Sequence, residues 1–357
     1  MATKTKVLLI GSTGYIGGSV LAAFLQDPAS AARYEITAFV RRQEQIEKLK
    51  SVGVEGALFR DIDDEETIRD GAKRHDVVIA AASARHEGCA KACIQGLSER
   101  KKDTGREVHY IHTSGTSMLG DWPVSGERVD TAIYSDVSDD IYDVEKNFSE
   151  THSPVRKVNQ MMVALGEELR VKTYVVPAPL ICESRIGPPP GILTNNYETQ
   201  VKTMIRAALE MRKAVILGSG SGMWSRIHIR DVGSLFFTLV EHILHNSSSS
   251  IPSGKTGYYF AENGFQSFKS IAQRIAQTGK ALGVLDTDEV MSMGLQEFAE
   301  KFYEGDVRMA ESILASNCRT KADRARRVLG WEPEYGEDAF LSDIDELVSE
   351  MSGKGKG

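Results

Sequence analysis

Six short apolar runs separated by helix-like stretches constrain this chain more than any other feature. Lys6–Ile10 is a short, β-branched apolar segment, followed by a glycine turn and the helical spacing Ile16, Val20, Leu21, Phe24, Leu25. Strand-like runs return at Ile36–Val40, Gly56–Phe59, Asp76–Ala82, Val108–His112 and Thr173–Pro177, with helices read at Gln43–Val52, Glu87–Arg100 and Pro154–Glu168. Strands that are apolar on both faces need helices over both faces, and right-handed crossovers then order them into a parallel sheet. The expected fold class is α/β, a doubly wound parallel sheet.

The turn after the first run carries chemistry. Gly11-Ser12-Thr13-Gly14-Tyr15-Ile16-Gly17 links a strand to the opening of a helix. In that context the first glycine permits the tight turn, the second lets backbone approach a pyrophosphate, and the third lets helix pack on strand. The diphosphate then rests on the free N–H groups and positive dipole end of the helix. The second strand ends in Arg41-Arg42 instead of the acidic residue that accepts from a ribose 2′-hydroxyl. Guanidinium groups suit a 2′-phosphate, so NADP(H) is expected over NAD(H). Asp61, after the third strand, is positioned to accept from the adenine amino group. Ala81 and Ala82 at the end of the fourth strand, and Pro177 in the sixth, complete the candidate cofactor cleft.

Composition narrows the class. With about 150 residues per domain, 357 residues make two domains or one enlarged one. Hydrophobic residues at 41% and charged residues at 26% suit a globular chain with a full core. A net charge of −7 gives no general footing for nucleic acid, and no run nears the ~18 apolar residues of a membrane span. Cys89, Cys93, Cys182 and Cys318 lack disulfide-scaffold or zinc-site spacing, so buried thiols and no metal are expected. The basic N-terminus lacks a signal-peptide core, which points to the reducing cytoplasm. The expected partner is a small-molecule substrate, with a homodimer left open and no nucleic acid or membrane.

Beyond these motifs the chain resembles the extended short-chain dehydrogenase/reductases, and within them an epimerase/dehydratase-like group common in fungi. The resemblance rests on Gly11-x-x-Gly14-x-x-Gly17, Arg41-Arg42, Asp61 and Val77–Ala82. It continues through Ile111–Gly120, Val175–Ile181, Trp224–Val232, Asn317–Asp323 and Leu329–Pro333. It implies a Rossmann domain at 1–180, with a returning segment at about 214–245. A small C-terminal α/β substrate domain would take 181–213 and 246–350, and 351–357 would form a flexible tail. It also implies an oxidoreductase acting on a carbonyl or conjugated double bond, in secondary metabolism. Two alternatives stay open on this fold: a non-reductive epimerase, isomerase or dehydratase, and a dinucleotide-sensing regulator without turnover, like the nitrogen-metabolite-repression proteins.

Ketone reduction in such enzymes implies a Ser or Thr, a Tyr and a Lys. The family's serine position falls on Gly115, which leaves Ser114, Thr116 or Ser117 as hydroxyl candidates. Tyr142-x-x-x-Lys146 fits in letters, 28 residues after Ser114, but lies early relative to the sixth strand. Register taken back from Val175–Pro179 points instead to His152 or Ser153, with Arg156 or Lys157 in the lysine's place. Ser153 also reads as a helix N-cap ahead of Pro154. Residues 118–153 show no sustained period and read as a functional loop. Asp121, Trp122, Glu183, Arg185 and Asn195 are candidates for the substrate pocket. Trp224 is balanced between cavity wall and core, and His228 reads as structural.

Overall fold

The computed structural model describes residues 4–148, 153–182, 199–245 and 251–354. The first half runs β1 (Thr5–Ile10), α1 (Tyr15–Gln26), a short α2 (Ser30–Arg33), β2 (Tyr34–Val40), α3 (Gln43–Ser51), β3 (Glu55–Leu58), α4 (Glu65–Lys73), β4 (Val77–Ala80), α5 (Glu87–Thr104) and β5 (His109–Gly115). Next come a 3-10 turn at Thr116–Leu119, β6 (Ile133–Ser135), α6 (Ile141–Asn147), α7 (Pro154–Leu169) and β7 (Lys172–Ala178). Then follow β8 (Leu180–Cys182), α8 (Gln200–Met211), β9 (Ala214–Leu217), β10 (Met223–His228) and α9 (Ile229–His245). The chain continues with β11 (Phe265–Ser267), α10 (Phe268–Ala281), β12 (Val290–Met293), α11 (Leu295–Phe302) and α12 (Val307–Leu314). It closes on β13 (Arg319–Lys321), α13 (Asp323–Leu329) and α14 (Glu337–Met351).

The main sheet has the order β3-β2-β1-β4-β5-β7, and every pairing in it is parallel. Val7–Ile10, Val77–Ala80 and His109–Ser114 are buried residue after residue. That is why Val7–Ile10 and Val77–Ala80 read as apolar without alternation: helices cover the sheet on both faces. Strand order reverses beside β1, between β1 and β4, and open α/β sheets bind ligands outside the carboxyl ends of the strands at such a point.

The returning segment expected at 214–245 divides. Helix α9 does come back to the Rossmann part, where the Ser19 hydroxyl donates to the Ile229 carbonyl at 2.7 Å. A Cβ on Gly233 would stand 2.5 Å from the Ser19 carbonyl oxygen, so the α1–α9 approach needs that glycine. Strand β9 does not return, because it pairs in parallel with β12. Conversely, 257–261, expected in the small domain, runs beside β7: the Val175 amide donates to the Gly257 carbonyl at 2.9 Å, and the Tyr259 amide to the Val175 carbonyl at 2.9 Å. The aperiodic stretch 118–153 holds β6, which pairs with β13, and the seven-residue α6. Of the expected tail, 355–357 lie outside the described residues.

Candidate functional site

Gly11 adopts φ of +93°, a conformation that L side chains rarely take, and a Cβ there would stand 2.6 Å from the Ala82 amide nitrogen. The turn thus lies against the end of β4, beside Ala81 and Ala82. A Cβ on Gly17 would stand 2.1 Å from the Gly11 carbonyl oxygen, so only glycine lets α1 start this close to β1. The Gly14 amide donates to the Gly11 carbonyl at 2.9 Å and closes the turn. Helix α1 opens on Gly14 with no side-chain cap and no acidic residue in its first turn, which leaves its leading N–H groups for a ligand. The Ser12 hydroxyl is fully buried and meets no hydrogen-bond partner among the described residues. An orphaned donor beside uncapped amides fits the oxygens of a diphosphate. Thr13, Tyr15 and Ile16 continue the turn into the helix.

Arg41 and Arg42 follow β2 directly and are exposed. Arg42 lies 3.3 Å from Glu44, and the Arg42 amide is closed by the Gln45 side chain at 3.2 Å, which orders the start of α3. Asp61 lies beyond β3, where its Oδ1 accepts from the Asp63 amide at 2.9 Å and its Oδ2 from Arg60 Nε at 3.3 Å. Pro177 pairs with Ser114 across β5 and β7 and is buried.

A cavity of about 510 Å³ opens beyond the carboxyl ends of β5 and β7. Its floor is Gly115, Ser117, Ala178 and Pro179, and the start of α7 supplies Ser153, Pro154 and Val155. Thr199, Gln200, Thr203 and Arg206 enter from the α8 side, and Arg85 from the loop after β4. The C-terminal part closes it with Trp224, Phe302, Tyr303, Met309, Ser312 and Ile313. Most of these residues were missed in the sequence, because those on α8, α11 and α12 have the spacing of ordinary amphipathic helices.

The catalytic candidates separate in space. Ser117 and Ser153 line the cavity, and the Ser153 side chain makes no cap hydrogen bond although it holds the N-cap of α7. Lys157 sits one turn later, with its Nζ 2.6 Å from Glu87 Oε1. Arg156 is buried beneath, its Nε donating to the Met118 carbonyl and its guanidinium 4.6 Å from the Phe148 ring centroid. Burial pushes its pKa down to about 10. His152 lies outside the described residues. Tyr142 is not brought to the cavity: Lys255 Nζ stands 5.5 Å from its ring centroid, and Lys146 is exposed on α6. Thr116 is fully buried with its hydroxyl unpartnered among the described residues.

Ser114 points into the interior and begins a buried chain that sequence reading did not find. Its hydroxyl donates to Asn159 Oδ1 at 3.0 Å, Asn159 Nδ2 donates to Glu145 Oε1 at 2.7 Å, and the Tyr258 hydroxyl donates to Glu145 Oε2 at 2.5 Å. Burial raises the Glu145 carboxyl to about 7 against the pull of these donors.

Asp121 is fully buried and holds the loop together, accepting from the Asp130 amide at 2.7 Å and the Asn317 amide at 2.5 Å. Trp122 is buried and packs under Arg308, 5.1 Å from its ring centroid. Glu183, Arg185 and Asn195 lie outside the described residues. Trp224 takes both readings at once, being 3% exposed yet on the cavity wall, with Nε1 donating to the Ser316 carbonyl at 2.9 Å. His228 stacks on Tyr335 at 3.9 Å between centroids, away from the cavity lining.

Residues 3–95 match the model of the NmrA-like family. Over 355 aligned residues the chain is 28% identical to a protein named Oxidase ucsJ from an Acremonium species, with 92% of each chain covered. Among solved structures, dTDP-glucose 4,6-dehydratase from Bacillus anthracis in complex with NAD is 14% identical with a TM-score of 0.64, covering 98% of each chain. DesIV, the dTDP-glucose 4,6-dehydratase of Streptomyces venezuelae with NAD bound, is 12% identical with a TM-score of 0.65, covering 99% of each. UDP-glucuronic acid 4-epimerase from Bacillus cereus gives 12% and 0.60, over 97% of this chain and all of that one. The chain shares its fold with these dehydratase and epimerase structures.

Proposed function

We propose that this protein is an NADP(H)-dependent oxidoreductase that acts on a carbonyl or conjugated double bond of a small organic molecule, in secondary metabolism. The observation that carries the reading is the Gly11–Gly17 cradle, with an orphaned Ser12 hydroxyl and two exposed arginines at its flank. The oxidase name of the Acremonium relative and the NAD bound to the dehydratase neighbours support the class. A bound nicotinamide coenzyme supplies or accepts a hydride. The uncapped start of α1 would bind the diphosphate, and Arg41 and Arg42 would hold the 2′-phosphate. Ser117 and Ser153 present hydroxyls to the oxygen that gains negative charge, where donors fixed in advance lower the barrier. Lys157 lies one turn along α7 in an ion pair with Glu87 at 2.6 Å, and would have to leave that pair to reach a coenzyme ribose.

The four cysteines are buried and form no disulfide, which suits the reducing cytoplasm as the proposed compartment. No helix among the described residues is long and apolar enough to cross a membrane. A small-molecule substrate is the proposed partner.

Calorimetry with NADPH and NADH tests the coenzyme assignment. Changing Arg41 and Arg42 together to Ala should weaken NADPH by about 10–100-fold, the weight of charge-assisted hydrogen bonds to one phosphate, and leave NADH nearly unchanged. Equal losses for both coenzymes refute the 2′-phosphate assignment. The displacement of Tyr142 from the cavity favours the second reading, an isomerase, dehydratase or dinucleotide sensor. Tight coenzyme binding with no consumption across ketones, enals and imines would decide for it.

A further inference from the structure

The cavity's lining changes character with the part of the chain that supplies it. Strand β10 and helices α11 and α12 bring Trp224, Phe302, Met309 and Ile313, with Ser312 beside them. The Trp224 N–H is already spent, donating to the Ser316 carbonyl at 2.9 Å and its hydroxyl at 3.1 Å, so the indole offers the cavity only ring carbon. The α11–α12 pair is apolar on two sides. Phe298, Ala299, Ala310 and Leu314 are buried in the core. Phe302 follows Phe298 by one turn, its ring centroid 4.7 Å from that of Phe298, and Met309 and Ile313 lie one turn apart on α12. These three line the cavity and stay partly in water: Phe302 and Ile313 are half-buried, and Met309 is 42% exposed. Apolar surface beside a cavity of about 510 Å³ is surface that a ligand removes from water when it binds. The two threonines at the start of α8 add little polarity. Thr199 accepts from the Lys202 amide at 3.2 Å, and the Thr203 hydroxyl donates to the Thr199 carbonyl at 3.2 Å.

We propose that the substrate of this cavity is a flat, multi-ring aromatic carbonyl compound. Its ring system lies against Trp224, Phe302, Met309 and Ile313, and its carbonyl faces Ser117 and Ser153. Aromatic rings meet one another in offset or edge contact, and a methionine sulfur packs well beside them while its unbranched chain adapts to their outline. A hydroxyl-rich body such as a sugar would leave its donors unpaired on this wall. The inference rests on reading this cavity as the substrate site of the proposed oxidoreductase, and it names the class of molecule that the site takes.

The test titrates three compounds by calorimetry into the protein, alone and with NADP⁺ present: 2-acetylnaphthalene, butanone and UDP-glucose. Butanone keeps the methyl ketone and lacks the rings, and UDP-glucose replaces an apolar body with hydroxyls and charge. The naphthyl ketone should bind at least about 100-fold more tightly than butanone, and more tightly than UDP-glucose. Met309→Gln and Ile313→Gln should each weaken the naphthyl ketone by about tenfold. Met309 lies at the surface, so its substitution should leave the urea midpoint of unfolding unchanged and the loss cannot come from misfolding. Butanone within tenfold of the naphthyl ketone, tighter binding of UDP-glucose, full affinity in both variants, or no uptake of the naphthyl ketone overturns the proposal. NADPH and NADH titrations of the same samples keep the two readings apart. Preference for the naphthyl ketone without coenzyme uptake leaves the aromatic site standing and removes the oxidoreductase, and coenzyme uptake without that preference does the reverse.

Discussion

At the scale of single residues, the glycines of the phosphate turn are not equivalent. A Cβ at position 17 would meet the Gly11 carbonyl oxygen at 2.1 Å, a backbone atom that cannot swing aside. At position 14 the same oxygen lies 3.2 Å away, and φ of −88° is open to any residue. Gly17→Ala should therefore cost about 2–3 kcal/mol of folding stability, the usual scale of overpacking, and lower coenzyme affinity with it. Gly14→Ala should stay within about 1 kcal/mol of the parent and act chiefly on the coenzyme, since its methyl group would face the pyrophosphate. Urea unfolding beside NADPH calorimetry separates the two. The glycine spacing was legible in the sequence because backbone geometry dictates it. The catalytic side chains were not. Tyr142-x-x-x-Lys146 has the right letters, but which way a side chain points depends on the packing of α6 against α7, which no spacing records.

At the scale of elements, inner strands of the main sheet such as β1 and β4 were legible because two-sided burial leaves an unbroken apolar run, whereas edge strand β3 is only partly buried. Strand β9 was legible as a strand, but its partner was not. Val290-Met-Ser-Met293 carries little strand signature, and β9 is placed by pairing with it across 290–293 instead of by its own sequence. The elements within 118–153 were hidden for the same reason. Three-residue β6 exists because β13 lies beside it, and α6 because its buried Glu145 is gripped by α7. Asn159 is the grip. It is fully buried, accepts from Ser114 and donates to Glu145, so it ties β5, α6 and α7 at one point. Asn159→Ala should lower stability by about 3 kcal/mol, because it strands a buried carboxyl and a buried hydroxyl together. The expected signature is a lower urea midpoint with an unchanged m-value, and a loss under about 1 kcal/mol would show that the chain is not a structural link.

At the scale of the whole molecule, the buried titratable groups set how stability answers to pH. Burial drives His109 down to about 3 and His112 to about 4, and it lowers His75 as well. Burial drives Asp136 and Glu145 the other way, each up to about 7. The imidazoles have folded pKa values below their ordinary 6.5, so the unfolded chain binds protons first as pH falls. Their contribution is complete above about 6.5 and fades in acid. The carboxyls have folded values above their ordinary range of about 4, so the native state keeps protons that the unfolded chain has lost. Their contribution is present in acid and fades as pH climbs toward 7. Burial raises Asp231 too, so below about pH 6.5 imidazoles and carboxyls oppose one another; beyond 6.5 only the carboxyls still act and stability falls as pH rises. The lowered carboxylates Asp64, Glu87, Glu99 and Asp286 are half-buried or exposed and are screened by solvent, so they contribute little to this balance. The thermal unfolding temperature at fixed ionic strength should fall between about pH 6.5 and 8. Glu145→Gln should reduce the fall above about pH 6.5 and shift the slope below 6.5 toward stability rising with pH, since a carboxyl that opposes the imidazoles there is gone. A melting temperature that climbs steadily from pH 5 to 8 would mean that the two carboxyls are ionised in the native protein, and that the chain from Ser114 to Tyr258 ends on a charge instead of a shared proton.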